Sequence, residues 1–161
     1  MRKRRGFTLI ELLIVVAIIG IIAAIALVNM FSAIQRAKQK RAMGDMKSIA
    51  TALEAYATDR NVYPAAAALA LPSGLSLPTS TVGAISGSLN PTYIRAVPLV
   101  DSWSSFFLYG TNDSKNEFIL SSTGADGVPE TTPVGGATTS FNADIILVDG
   151  TFVQFPEGAQ R

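Results

Sequence analysis

Residues Thr8 to Val28 read TLIELLIVVAIIGIIAAIALV, 21 residues with one ionisable side chain, Glu11. At 1.5 Å of rise per residue the run is long enough to cross the hydrocarbon core of a bilayer as a single helix. It is longer than the apolar stretch of a cleaved secretory signal and continues into a helical pattern, so it is expected to stay in the product. Composition agrees: 48% of residues are AVILMFWYC, 16% are DEKR and mean hydropathy is +0.34, greasier than an ordinary soluble domain. Some of that apolar surface has to meet lipid or other apolar helices.

The full 161 residues leave room for one modest domain beyond the span. Histidine and cysteine are absent, which removes His-based triads, thiol nucleophiles, thiolate zinc sites and disulfides. No nucleophile elbow or phosphate loop appears either, so the chain is not expected to be an enzyme. Nine Lys and Arg against two acids fall in residues 1–47, and four against ten thereafter. A near-neutral total with its basic residues confined to one end argues against a nucleic-acid surface. Arg2 to Arg5 on one side of the span face Arg36, Lys38, Lys40, Arg41 and Lys47 on the other, so charge alone does not orient it.

Glu11 is the anomaly. A carboxylate deep in a bilayer costs about 2.5 to 3.5 kcal/mol on insertion scales. It needs a cation at its own depth, or a place near enough to the headgroups to reach water; the residues alone leave both open.

The run Arg5-Gly6-Phe7-Thr8-Leu9-Ile10-Glu11, a basic leader ending in Gly-Phe with Glu four residues into a long apolar stretch, resembles the type IV prepilin family, which includes the type II secretion pseudopilins. The resemblance implies cleavage between Gly6 and Phe7 by a membrane prepilin peptidase, N-methylation of the new Phe7 amine, and a single pass through the bacterial inner membrane, N-terminus cytoplasmic and head outside. It implies a helical homo-oligomer, a periplasmic pseudopilus or a surface pilus, with membrane lipid as the surroundings before assembly. Inner-membrane assembly machinery and minor pilins or pseudopilins are the further partners. Loss of the leader takes the side-chain charge from +1 to −3. In the family, Glu11 pairs with the Phe7 amine of a neighbouring subunit. The spacing has a physical reason: residue 11 lies one helical turn from the ammonium that cleavage creates, and a charge pair among apolar helices fixes register.

Beyond the span, Ile34, Ala37, Met43, Met46, Ile49, Ala50, Leu53, Tyr56 and Ala57 recur at spacings of three and four, with charged residues on the other faces. A helix from Phe7 to Asp59, about 80 Å long, is expected, with Pro64 ending the pattern. Its second half should bury Met46, Ile49, Leu53 and Tyr56 against a sheet. Gly20 permits close helix approach within the span. Residues 64–98 read as loop with one short helix near Ala66 to Leu71. Strands are expected at Phe106–Tyr109, Glu117–Ser121, Asp144–Val148 and Thr151–Phe155, the last two joined by Asp149-Gly150, a type I′ hairpin signal. The fold class is α+β and pilin-like, a long N-terminal helix on a small antiparallel sheet. Four segments follow: leader 1–6, span 7–30, amphipathic half 31–63 and head 64–161.

Oxygen donors crowd the run Ser121 to Glu130 and recur at Asn142 and Asp144. Calcium takes six to eight oxygens, so such a loop could close on one. The spacing is not that of an EF-hand, and Asp126-Gly127 alone reads as a turn. The segments Tyr93 to Pro98, Asp101 to Trp103, Ser122 to Glu130 and Asp144-Ile145 are similar to the major pseudopilins of type II secretion, where a calcium ion ties this loop down. Carried over by position, Ser122, Asp126 and Asp144 would offer side-chain oxygens and Val128 a carbonyl. The resemblance implies a structural subunit of the pseudopilus that drives protein export. A type IV pilus subunit for adhesion or motility is the alternative, and a non-polymerising anchored binding domain, its Gly6-Phe7 bond uncut, is a third.

Overall fold

A computed structural model describes residues 6–66, 78, 80–130 and 133–158. The chain divides into two units, residues 1–34 and 35–161, and one helix, α1 (Leu9–Arg60), contributes to both.

The first unit is the apolar part of α1. None of its most apolar 18-residue window is buried by the rest of the chain. Leu, Ile and Val side chains point outward all round, as in a helix whose solvent is not water. The start of α1 is a capping box: the Glu11 N–H bonds back to Thr8 Oγ1 at 3.3 Å, while Glu11 Oε2 accepts from the Thr8 N–H at 2.9 Å and from its hydroxyl at 2.8 Å. Glu11 therefore has a partner within its own chain, one that the sequence reading did not name.

In the second unit α1 turns amphipathic. Gln39, Ala42, Met46, Ile49 and Leu53, at spacings of three and four, are buried together with Ala50 and Ala52. The apolar ones pack on Phe107 and on Tyr109, Phe118, Leu120, Ile145 and Leu147 of the sheet, with Tyr56 half-buried at the edge. Burial of Met46, Ile49 and Leu53 is as the apolar spacing predicts. The helix ends at Arg60, where Asn61 takes a left-handed φ of 58° and donates its N–H to the Ala57 carbonyl at 2.7 Å.

The strands are β1 (Ser80–Thr81), β2 (Leu108–Thr111), β3 (Phe118–Ser122), β4 (Gly136–Thr138), β5 (Ile145–Val148) and β6 (Thr151–Pro156), ordered β1-β2-β3-β5-β6-β4. Four expected strands are present within two residues of their predicted bounds. The β5–β6 turn is the type I′ hairpin its residues predict, with Asp149 at φ 46° and Gly150 at φ 76°. Lys47 of α1 donates to the Gly150 carbonyl, which docks the turn on the helix.

Two expectations change. The sheet is mixed rather than antiparallel, because β4 pairs parallel with β6. Residues 82–89, expected as loop, form a 3-10 turn (Val82–Ile85) running into the short helix α2 (Ser86–Leu89). Val82, Ile85 and Leu89 recur at three and four and plug the core; the surrounding Ser and Gly masked that period. Of the helix expected near Ala66 to Leu71, all but Ala66 lies outside the described residues, and Ala66 is not helical.

Candidate functional site

Two places carry chemistry. The first is the N-terminal junction. Gly6, Phe7 and Thr8 precede the helix in non-helical backbone, and Gly6 and Phe7 are exposed. A Cβ built on Gly6 meets nothing within 4 Å. Glu11 follows one turn later, with Oε2 engaged by Thr8.

The second is the oxygen-rich loop after β3. It is laid against the segment before β5 by a close backbone approach. Gly124 adopts φ 66°, a Cβ there would sit 2.6 Å from the Asn142 carbonyl oxygen, and the Ala125 N–H donates to the Phe141 carbonyl at 2.9 Å. Only glycine fits such a position. The β3–β5 pairing sets Ser122 opposite Ile145, next to Asp144, and Asp126 is close enough for its charge to act on Asp144.

The four candidate ligands are not in equivalent states. Asp144 is fully buried; its Oδ2 accepts the Glu130 N–H at 3.0 Å, and its Oδ1 has no hydrogen-bond partner among the described residues. Burial pushes the Asp144 carboxyl up to about 6, and the negative charges of Glu130 and Asp126 push the same way against the lowering effect of the Glu130 N–H. An orphaned carboxylate oxygen in a buried, electronegative corner is where a cation would be held. Asp126 is exposed and closes a turn, Oδ1 accepting the Val128 N–H at 3.1 Å. Val128 is exposed as well. Ser122 points its hydroxyl hydrogen elsewhere, donating to Asp101 Oδ2 at 2.7 Å. Asp101 also accepts the Trp103 and Ser105 N–H groups on Oδ1, which fixes the turn that Trp103 anchors to α1 through its Nε1–H donated to Gln35 Oε1 at 2.7 Å.

Asp144 thus keeps one buried carboxylate oxygen free, Asp126 and Val128 lie in the same exposed loop, and the Ser122 hydroxyl hydrogen is donated to Asp101. Among the described residues, no group of three or more acidic side chains is placed to hold a metal; a site here rests on carbonyl and hydroxyl oxygens as much as on carboxylates. Glu130, the end of the oxygen-rich run, and Gln154, which the sequence does not single out, stand beside Asp144 and are bonded to each other.

Comparison with known proteins settles the family. The prokaryotic N-terminal methylation motif matches residues 1–27, and the type II secretion system protein G family matches residues 29–140. The chain belongs to the type II secretion system protein G family. It is 36% identical over 131 residues to the type II secretion system core protein G of Pseudomonas aeruginosa, covering 78% of this chain and 87% of that protein. The corresponding Vibrio cholerae protein is 32% identical over 135 residues, 79% of this chain and 84% of that one. Likeness to the type IV major pilin PilA of Myxococcus xanthus is higher, 48%, but confined to 61 residues, 38% of this chain and 28% of that one. No solved structure matches significantly. The family match covers most of the head as well as part of α1, whereas the pilin match is partial, so the structural, pseudopilin-type reading holds over the type IV pilus.

Proposed function

We propose that the chain is stored in the bacterial inner membrane by residues 7–30, N-terminus cytoplasmic and head outside. It is cut between Gly6 and Phe7 by a prepilin peptidase, methylated on Phe7, and polymerised into the periplasmic pseudopilus that drives export of folded proteins. The observation that carries this is the match over most of the chain to core protein G relatives, joined to an apolar helix that none of the described residues covers. A helix exposed all round is stable in lipid and equally stable among copies of itself, so one segment serves both storage and fibre. Stacking identical subunits head to tail is a heterologous, open assembly. The exposed, non-helical Gly6-Phe7 bond suits a peptidase, and Glu11, one turn on, supports a register-fixing pair with a neighbour's Phe7 amine.

The same reading assigns calcium to the loop between β3 and β5. Asp144 would hold it through Oδ1, with Asp126 and the Val128 carbonyl as further oxygens and Ser122 able to join only through a lone pair. The ion would neutralise a buried carboxylate and tie down a cysteine-free head.

Deleting this chain is expected to leave exported enzymes trapped in the periplasm, with surface adhesion and motility unchanged, as scored by exoprotein activity in medium and periplasmic extract. Intact export with loss of surface fibres would point to the pilus instead.

A further inference from the structure

Gln154 is a fully buried polar side chain at the centre of the pairing between β5, β6 and β4, and it lies beyond residues 29–140, where the family match ends. Its amide makes three hydrogen bonds. Nε2 donates to Glu130 Oε2 at 2.8 Å and to the Asp144 carbonyl at 2.9 Å, and Oε1 accepts the Gly135 N–H at 3.0 Å. The partners fix the amide's orientation: a carboxylate and a carbonyl only accept, and a backbone N–H only donates. One side chain on a rigid strand thus holds Glu130, Gly135 and the backbone of Asp144.

We propose that Gln154 is a positioning residue for the candidate calcium loop. It touches no candidate ligand atom. It sets the place of Glu130, and the Glu130 N–H in turn occupies Asp144 Oδ2 at 3.0 Å, while Oδ1 is left without a hydrogen-bond partner among the described residues. Groups that orient metal ligands from behind are worth about 10-fold to 100-fold in affinity when removed. A buried amide is suited to the task because it can bond a carboxylate and a carbonyl together without adding charge beside Asp144. The inference rests on the calcium reading for its metal part and on geometry alone for its loop part.

The test uses the full chain in detergent, with calcium alone as the probe. Gln154→Met keeps the length and the apolar stem and removes all three bonds. Hydrogen exchange at the Glu130 and Gly135 amides should speed up at least about ten-fold, with Leu120 and Ile146 in β3 and β5 unchanged, and calcium should bind about ten-fold more weakly. A general loss of stability would instead raise exchange across β3 and β5 together. Gln154→Glu, of the same shape, sets a carboxylate against Glu130 and the Asp144 carbonyl and should show the same local exchange at pH 7; it serves if the methionine variant does not fold. Wild-type exchange at Glu130 and Gly135 in the variants overturns the proposal whatever calcium does. Absence of calcium binding by the wild-type chain overturns the metal part, and the exchange data then decide the clamp by themselves.

Discussion

Glu11→Ala is expected to leave the chain inserted and cut at Gly6-Phe7 while reducing filament yield at least ten-fold, measured by sheared-fibre recovery against the membrane-retained pool. The cap that Glu11 closes with Thr8 is worth about 1 kcal/mol, too little to unmake a 52-residue helix in lipid. Removing a carboxylate from the bilayer relieves at most about 2.5 to 3.5 kcal/mol, the cost deep in the hydrocarbon, so storage in the membrane should if anything improve. On the proposed pairing, what alanine removes is the anion that would set one subunit's register against its neighbour's amine. Glu11→Gln separates the two roles: a glutamine oxygen still accepts from Thr8, but the charge is gone. It should fail to polymerise as alanine does, and wild-type filament yield from either variant would end the assembly role.

Calcium removal is the second large effect. A ligand present at about a hundred times its Kd stabilises the folded state by about 2.7 kcal/mol, which for a chain of this size lowers Tm by about 8 °C when a chelator takes it away. The pH dependence follows from Asp144. Its folded carboxyl sits at about 6 against an ordinary 3.8, so the calcium-free head carries the cost of a buried anion above pH 6 and sheds it as the pH falls toward 4. The calcium-bound head needs that anion, and affinity falls as Asp144 protonates. The chelator effect should therefore be full at pH 7.5 and about half as large at pH 5, where protonation of Asp144 weakens binding about ten-fold, with the chelated chain melting higher at pH 5 than at pH 7.5. Equal melting with and without chelator at pH 7.5 would remove a structural ion.

What could be read from the residues was what is encoded locally. The apolar run, the three-and-four spacing through Met46, Ile49 and Leu53, and Asp149-Gly150 each depend on neighbours within one helical turn or one hairpin, and each is present. The capping box was equally local, in Thr8-Leu9-Ile10-Glu11, but the weight given to charge at Glu11 hid its hydrogen bonds to Thr8. Features set by distant strands were not legible. The parallel β4–β6 pairing joins an exposed Gly-Ala-Thr segment to a strand that follows the β5 turn. The Ser122 hydroxyl donates to Asp101, 21 residues earlier, a partner that no local pattern announces. Gln154 reaches Glu130 across 24 residues, and nothing around either announces the other.

On the proposed pathway, a processed N-terminus beside Glu11 turns a membrane-stored helix into a filament subunit. Intact-mass measurement of the chain from membranes and from sheared fibres tests it most directly. The expected species begins at Phe7 and carries one methyl group on its amine; chains that begin at Met1 in every fraction would contradict it.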